Sequence, residues 1–399
     1  MKAHCKRALA LSGCALTLLV ACGANARAGQ KKEAKKKAGG DKMFCAPHDV
    51  VVWKGSHRIP GIVQTNKGTL VAFTEFRHTS SDLGNNDLVC KRSTDGGKTW
   101  SKEILIHEEG GNKNISIGDQ CAVVDRKTGT IWCFFARNKK APLYLTSSED
   151  DGLTWKKPMV VTKDVSRPGW LKGGNKYWFG PGHGIQLRSG RLLIPAFHVE
   201  KLKGDGKFAK HHAHVVYSDD HGKTWKIGGT VGGRPRTTES RVIEFPDGSL
   251  YLNSRCHGQR VCSWSKDGGL TWSDAKAARG LTEPGSNGCD GSVVLLTNAA
   301  EHDKSRVLYS GGFDRKKRKD LAVHISYDRC KTWKMCRMIK RGRASYSDLV
   351  VLPDMSIGCL YETSDGGWQS IRFARFTLEW LTEGRDKLDR SKFKGDKAE

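Results

Sequence analysis

Short apolar runs separated by small polar residues make up most of the sequence. Val50–Trp53, Gly68–Phe73 and Leu88–Cys90 are rich in β-branched and aromatic residues, and Gly, Asn and Asp bound them. Only Leu378–Glu383 shows the spacing of a short helix. No break divides the chain between residues 44 and 384 into two domains of useful size, so the pattern predicts one all-β domain there.

One octamer, S-x-D-x-G-x-T-W, begins at five positions, 47 to 70 residues apart. The copies are Ser93–Trp100, Ser148–Trp155, Ser218–Trp225, Ser265–Trp272 and Ser326–Trp333. In each copy the Asp carboxylate can accept backbone N–H bonds, the Gly can take a positive φ, and the Trp can cover the turn. Repeated hairpin caps at this spacing predict an array of small sheets closed into a β-propeller. The fifth copy has Cys330 in place of Gly, so we expect its turn to be strained or cross-linked.

These octamers resemble the Asp-boxes of sialidases (neuraminidases), which fold as six-bladed β-propellers. Asp-boxes also occur in reelin-like modules, sortilin-type receptors and other glycosidases, so function has to be inferred from the site residues. The resemblance extends over Val50–Leu381 and includes the family's site motifs in their usual order.

Three arginines resemble the family's cluster that binds the carboxylate of sialic acid: Arg58, Arg255 and Arg318. Arg58 lies in H-R-I-P, which matches the family's Y/F-R-I-P, and Arg255 ends the segment D-G-S-L-Y-L-N-S-R. The family pattern R-x-x-L selects Arg318 from a basic run in which Arg315 is the alternative. A planar guanidinium can hold a carboxylate through two parallel hydrogen bonds. Arg77, in F-T-E-F-R, resembles a further pocket arginine.

The resemblance also implies the catalytic residues. Tyr346, in Y-S-D-L, would be the nucleophile, and Glu239 would be the base that takes its proton. Thr238 precedes Glu239 where the family usually has Asn, which could alter how Glu239 is oriented. Asp82, in the loop before the first octamer, would be the acid and base for the leaving group, with Asp87 as its competitor.

Glu362, in L-Y-E, resembles the glutamate that orients the first arginine of the cluster. His183 lies in F-G-P-G-H-G-I-Q-L, which resembles a strand entry of the family. His183 and His198 could reach the pocket, but we expect structural roles for both.

The resemblance therefore implies a retaining exo-α-sialidase, a glycoside hydrolase that releases terminal sialic acids from oligosaccharides, glycoproteins or glycolipids. It implies no cofactor and no metal, and we expect a monomer. Two alternatives stay open. One is a sialic-acid-binding propeller without catalysis, and the other is a glycosidase for a related ulosonic acid.

Both ends of the chain differ in composition from its centre. Residues 1–22 resemble a signal peptide that ends in the lipobox-like Leu19–Cys22, so Cys22 is expected to be lipidated; Ala24–Ala26 offers a rival site for ordinary secretion. Residues 23–43 form a Lys-rich linker, and residues 385–399 are expected to be a disordered basic tail. These features predict an exported protein, either a cell-envelope lipoprotein or a secreted or periplasmic one.

The formal net charge is +26, of which residues 1–42 contribute eight and the rest of the chain 18. A positive field favours an anionic ligand. No zinc-finger spacing, helical basic stripe or RNA-binding aromatic motif is present in the sequence, so nucleic acid is not an expected partner.

Thirteen cysteines are present, ten of them after the lipobox. In an exported protein an even number is compatible with disulfides. Cys256 with Cys262 and Cys330 with Cys336 each bracket a short segment, and buried free thiols are the alternative.

Overall fold

The computed structural model describes residues 46–393 except 112, 172–174, 201–209, 234–235, 285–287 and 366–367. Its regular structure is almost entirely β, in five mainly antiparallel sheets. One seven-stranded sheet contributes two groups of strands, so the chain forms six groups, here called blades 1 to 6. The predicted signal peptide, the lipidation site Cys22 and the linker 23–43 lie outside the described residues.

Blades 1 to 3 come from the first half of the domain. Blade 1 contains β2 (His57–Gln64), β3 (Leu70–Arg77), β4 (Asn86–Ser93) and β5 (Ile104–His107). Blade 2 contains β6 (Ile117–Val124), β7 (Ile131–Arg137), β8 (Lys140–Ser148) and β9 (Met159–Val160), with β11 (Gly182–His183) added parallel to β6. Blade 3 contains β10 (Lys176–Phe179), β12 (Ile185–Gln186), β13 (Leu192–Glu200), β14 (Lys210–Ser218) and β15 (Lys226–Thr230).

Blades 4 to 6 follow, and the last of them also uses the first strand of the domain. Blade 4 contains β16 (Ser240–Glu244), β17 (Leu250–Ser254), β18 (Val261–Ser265) and β19 (Lys276–Ala277). Blade 5 contains β20 (Ser292–Thr297), β21 (Arg306–Gly312), β22 (Lys319–Ser326) and the first part of β23 (Lys334–Val351). Blade 6 contains the rest of β23, β24 (Ile357–Asp365), β25 (Trp368–Phe376) and β1 (His48–Lys54).

The hydrophobic core is divided among the junctions between blades. Six large clusters of buried side chains each combine residues of two successive blades, and one of them joins blade 6 to blade 1. In that cluster Phe373 and Leu360 of blade 6 pack with Leu70 and Ile62 of blade 1. Each blade is therefore held by the next, and the described chain is a six-bladed β-propeller, as predicted.

The octamers form the predicted turns, each between the third and fourth strand of its blade. In the first copy Asp95 accepts hydrogen bonds from the Thr99 N–H at 3.0 Å and the Thr99 hydroxyl at 2.6 Å, and the Ser93 hydroxyl accepts from the Gly97 N–H at 2.8 Å. The fifth residue of every copy has a positive φ, with values of +89° at Gly97, +82° at Gly152, +87° at Gly222, +89° at Gly269 and +64° at Cys330. Cys330 thus takes the glycine's left-handed conformation with a free thiol, so the fifth turn is strained but not cross-linked.

The tryptophans of the octamers do more than cover their own turns. Trp100 of blade 1 packs edge-on against Phe373 of blade 6, with ring centroids 5.5 Å apart. Trp225 of blade 3 packs in the same way against Phe134 of blade 2, at 4.6 Å. The repeated indole therefore fills the gap to the preceding blade, which explains why the repeat needs so large a side chain.

The C-terminal boundary needs a correction. The predicted helix is present as α2 (Leu378–Leu381), while a second short helix, α1 (Thr162–Val165), lies in blade 2. The tail expected to be disordered from residue 385 begins with a buried carboxylate. Asp386 accepts hydrogen bonds from Arg306 at 2.8 and 2.9 Å, so the first part of this segment packs on blade 5. A buried ion pair that joins residues so far apart in sequence is not visible in composition.

The disulfide interpretation is also wrong for the described cysteines. Cys256, Cys262, Cys330 and Cys336 are free thiols, as are the other five cysteines of the described chain.

No helix of the described residues is long and apolar enough to cross a membrane.

Candidate active site

A cavity of about 240 Å³ opens where the blades converge. Seven of the eight residues predicted to form the catalytic and substrate-binding site line it directly: Arg58, Arg77, Asp82, Glu239, Arg255, Arg318 and Tyr346. The eighth, Glu362, contacts it through Arg58. The structure therefore brings together all eight residues from segments up to 304 positions apart.

Tyr346 and Glu239 form the centre of the pocket. The Tyr346 hydroxyl donates a hydrogen bond of 2.6 Å to Oε1 of Glu239, and Arg255 Nη1 donates to Oε2 at 2.6 Å. Burial opposes the ionisation of Glu239, but the Arg255 cation and the bond from Tyr346 outweigh it and lower the pKa of Glu239. Burial, reinforced by the Glu239 charge, raises the pKa of Tyr346 well above its usual value. The resting pair is thus a neutral phenol bonded to a carboxylate that can accept its proton.

Thr238 does not disturb this arrangement, although the sequence raised that concern. Its hydroxyl donates to the Arg255 carbonyl oxygen at 3.2 Å, and the Arg255 N–H donates to the Glu239 carbonyl at 2.9 Å. These bonds hold the two strand ends that carry Glu239 and Arg255 side by side.

Three guanidinium groups surround the Tyr346 ring. Those of Arg58 and Arg318 lie over it at 5.6 and 5.5 Å from the ring centroid, and Arg255 Nη1 lies 3.1 Å from the hydroxyl oxygen. Converging arginines of this kind can bind a carboxylate next to the phenol oxygen. Arg315, the alternative to Arg318, is exposed and does not line the cavity.

Glu362 fixes the first of these arginines. Its Oε2 accepts from Arg58 Nη2 at 3.2 Å, and its Oε1 accepts from the Ile59 backbone N–H at 2.7 Å. Ile59 has a φ of +63°, an unfavourable conformation for a β-branched residue, and the Glu362 bond holds the backbone in it. Glu362 therefore sets both the position of the Arg58 side chain and the backbone next to it.

Asp82 lies at the rim of the pocket on the loop between β3 and β4. It pairs with Arg77 and lies 3.5 Å from Lys139 Nζ and 3.7 Å from Arg58 Nη1. Partial burial opposes its ionisation, but Lys139 and Arg77 outweigh this and lower the pKa of Asp82 to about 2. Asp87, the competitor, is instead bonded to His78 at 2.7 Å and does not line the cavity.

Asp119 is the clearest pocket residue that sequence reasoning missed. It has a φ of +53°, and its backbone N–H donates to Oε1 of the buried Glu75 at 2.9 Å. Burial, against the opposing charge of Lys139, raises the pKa of Asp119 to about 7. A polar triplet, Gly118–Gln120, inside the otherwise apolar strand β6 was a signal that could have identified it.

Other pocket residues that sequence reasoning missed come mainly from blade 3. Trp178 and Phe197 stack on each other with centroids 4.6 Å apart and an interplanar angle of 10°. Both line the cavity, as do the polar side chains of His211, Arg236 and His257. These residues follow no motif, because only the packing of blade 3 against blade 4 directs them to one pocket.

The two histidines considered for the pocket lie elsewhere. His183 Nδ1 donates to the Asp348 carboxylate at 2.9 Å, and His198 stacks on Trp170 with centroids 3.7 Å apart. Neither lines the cavity. In the described residues no group of three or more His, Cys, Asp or Glu side chains is arranged to hold a metal ion.

A fully buried cluster of charged residues lies two positions further along the segments that carry Glu239 and Tyr346. Arg241 donates to Asp348 at 3.2 Å and to Asp290 at 2.8 Å. Asp348 also accepts from the Ile62 N–H at 2.9 Å and the Ser292 hydroxyl at 2.9 Å. This cluster connects strands of blades 1, 4, 5 and 6 at the centre of the ring.

Residues 59–359 match the family model described as a BNR repeat-like domain. Sialidase-2 of Mus musculus is 30% identical over an alignment of 363 residues that covers 81% of this chain and 93% of the mouse protein. The chain belongs to the sialidase family.

Other sialidases agree with this assignment. The sialidase of Micromonospora viridifaciens is 31% identical over 354 residues, 82% of this chain, but the chain spans only 52% of that relative's length. Among solved structures, the Hadza microbial sialidase Hz136 superposes with a TM-score of 0.70 at 30% identity, covering 81% of this chain and 66% of Hz136. The sialidase fold therefore accounts for most of the chain.

Proposed function

We propose that the protein is a retaining exo-α-sialidase that hydrolyses terminal sialic acids of glycoconjugates. The observation that carries the proposal is the 2.6 Å hydrogen bond from Tyr346 to an ionised Glu239 inside a cluster of three arginines. A pocket that only bound the sugar would need the arginines, but it would not need a phenol placed against a buried base.

The chemistry follows from the charges. As the Tyr346 oxygen attacks the anomeric carbon, its proton passes to Glu239, and the bond from that carbon to the leaving oxygen breaks while Asp82 supplies a proton. In the second step Asp82 takes a proton from water as the water oxygen attacks the anomeric carbon. The bond from that carbon to the Tyr346 oxygen breaks, Glu239 returns the proton to Tyr346, and the sugar leaves with its original configuration. A neutral phenol is a suitable nucleophile here because a carboxylate would be repelled by the carboxylate of the substrate.

Asp82 is ionised before substrate binds, because its pKa is about 2. A bound sialoside would bring its own carboxylate close to Arg58 and cover the rim of the pocket. Both changes favour the protonated form, so we expect the pKa of Asp82 to rise on binding. The same residue can then act first as an acid and later as a base.

The test is the hydrolysis of 4-methylumbelliferyl-N-acetylneuraminic acid by the wild type and by Tyr346→Phe. We expect turnover in the wild type and a loss of roughly a thousandfold or more in the variant. NMR of the first sugar released should show the α anomer. Binding without turnover across pH 4–8 would favour a non-catalytic binding propeller, and turnover restricted to a deaminated analogue would favour a glycosidase for a related ulosonic acid.

We also propose that the chain is exported and carries lipid at Cys22. The support is the apolar segment that ends in Leu19–Cys22. Labelling of cells with a palmitate analogue should mark the wild-type chain and not Cys22→Ser. Equal labelling of both chains, or of neither, would contradict lipidation.

A further inference from the structure

A second cavity of about 150 Å³, here called the side cavity, lies next to the catalytic pocket. Arg58 and Arg318 line both spaces, and their guanidinium groups lie over the Tyr346 ring on the catalytic side. The wall of the side cavity also includes four polar residues: Arg343, Ser345, Glu362 and Gln369. The two cavities are thus separated by the groups proposed to bind the sialic acid carboxylate.

The side cavity has an excess of positive charge. Its three guanidinium groups face one carboxylate, Glu362, whose two oxygens are already engaged by Arg58 and the Ile59 N–H. Arg318 donates to the neutral oxygens of Gly288 at 3.2 Å and Ser345 at 3.5 Å. Among the ion pairs of the described residues, none includes Arg318 or Arg343. Arg318 is half-buried and Arg343 is exposed at the edge of the side cavity. Arginines without carboxylate partners that line one cavity can bind an anion there.

Arg58 connects this site to the chemistry. It lies 3.7 Å from Asp82, the proposed acid, and 3.2 Å from Glu362 in the side cavity. In a sialoside the anomeric carbon bears both the carboxylate and the leaving oxygen. A leaving group protonated by Asp82 therefore departs beside Arg58, and its first sugar unit lies within reach of the side cavity.

The geometry points to a subsite for a second acidic group. We propose that the side cavity binds the carboxylate of the penultimate residue, so that the enzyme prefers sialic acids attached to another acidic sugar, as in α2,8-linked oligosialic acid. The side cavity is smaller than the catalytic pocket, about 150 against 240 Å³, which suits an acidic group better than a second complete sugar. The inference rests on the proposed function.

Arg343 allows a test that leaves the catalytic residues unchanged. The rate constant kcat/KM would be measured for α2,8-disialyllactose and for 3′-sialyllactose at fixed ionic strength. We expect Arg343→Ala to lower the value about tenfold for the disialylated substrate and less than twofold for the other, because one charge-assisted bond is lost. Arg343→Lys should recover part of the loss.

Arg341→Ala is the matched control. Arg341 carries the same charge on the same strand and does not line the side cavity. If Arg343→Ala and Arg341→Ala lower kcat/KM equally for both substrates, a general positive field attracts the substrates, and the proposal of a subsite is wrong. An unchanged substrate ratio in Arg343→Ala also overturns it, while continued hydrolysis of 4-methylumbelliferyl-N-acetylneuraminic acid would leave the proposed function intact. A wild type without sialidase activity would overturn both proposals.

Discussion

Two acid-containing pairs lie one below the other on the same two chain segments. Glu239 with Tyr346 faces the pocket, and Arg241 with Asp348, two residues further along each segment, is sealed from solvent. Residues two apart on a strand point to the same side, so the fold repeats one geometry at two depths. In the proposed mechanism the upper pair contacts the substrate and passes a proton from Tyr346 to Glu239. The lower pair has no access to substrate, and we expect it to fix the distance between the two segments. The two pairs thus differ mainly in solvent exposure, and that difference decides which of them can take part in a reaction.

The largest effect on activity is expected for Glu239→Gln, in the pair that faces the pocket. The amide cannot take the Tyr346 proton, so we expect kcat/KM to fall by roughly 10²- to 10⁴-fold. The free energy of unfolding should fall by less than in Asp348→Asn, since the amide keeps the side-chain shape and the Arg255 partner borders the solvent-filled pocket. Steady-state kinetics and urea unfolding on the same sample measure both. A large loss of stability would remove the distinction between the two levels.

Asp348→Asn should have the opposite pattern. It removes a buried charge from Arg241 and His183, and breaking a buried ion pair costs about 3–5 kcal/mol. We expect a large drop in the urea midpoint, with a smaller loss of kcat in the fraction that stays folded than Glu239→Gln causes. Thr238→Ser at the pocket rim is a control that should change neither quantity much. A fully stable Asp348→Asn variant would contradict the supporting role of the lower pair.

Asp290, which accepts a hydrogen bond from Arg241 of the buried pair, should make the stability of the protein depend on pH. Burial, against the opposing charge of Arg241, raises the pKa of Asp290 to about 8, while an unfolded Asp titrates near about 4. Between these values the folded state binds one more proton, so stability should fall as pH rises from about 4 to 8. Asp290→Asn, which is neutral at every pH, should flatten this slope in urea unfolding measured across that range. An unchanged slope would mean that Asp290 is ionised in the folded protein.

The smallest effect is expected at the partly exposed carboxylate of the first octamer. Slight burial opposes ionisation, but hydrogen bonds from Thr99 and Ser93 outweigh it and lower the pKa of Asp95 to about 2. The stabilisation is therefore present above about pH 4 and is lost as pH falls towards 2. Asp95→Asn should cost about 1 kcal/mol at pH 7, by analogy with the loss of a helix cap, and less at pH 2. Thermal unfolding at both pH values checks this, with activity at pH 7 as the control.

Local patterns predicted the parts of the fold that are themselves local. The octamers specified their turns, and the φ of Gly97 or Gly222 follows from the residue type. Their tryptophans were understood only in part, because contact with the preceding blade is not encoded within eight residues. Likewise the continuous strand Lys334–Val351, which serves blades 5 and 6, could not be separated from two shorter strands by periodicity.

The candidate site shows the same limit. Arg58, Glu239 and Tyr346 were identified because each lies in a recognisable motif. Asp119 and Lys139 were missed because their place in the pocket depends on positive backbone φ angles of +53° and +57°, which nothing in the surrounding residues required. The sequence also could not decide whether the cysteines form disulfides or stay free, since pairing depends on distances between blades.

Strand β1 pairs antiparallel with β25, so that His48 lies opposite Arg375. The first strand of the domain to leave the ribosome must therefore wait for the last one to be synthesised. Until then blade 6 has an unpaired edge, and the cluster between blades 6 and 1 is exposed to water. Such an intermediate is prone to aggregation and has to close a very long loop, so folding should be slow and should finish only after synthesis. A chain truncated before β25 could not close the propeller, and its unpaired edge strand would be prone to pair with other chains.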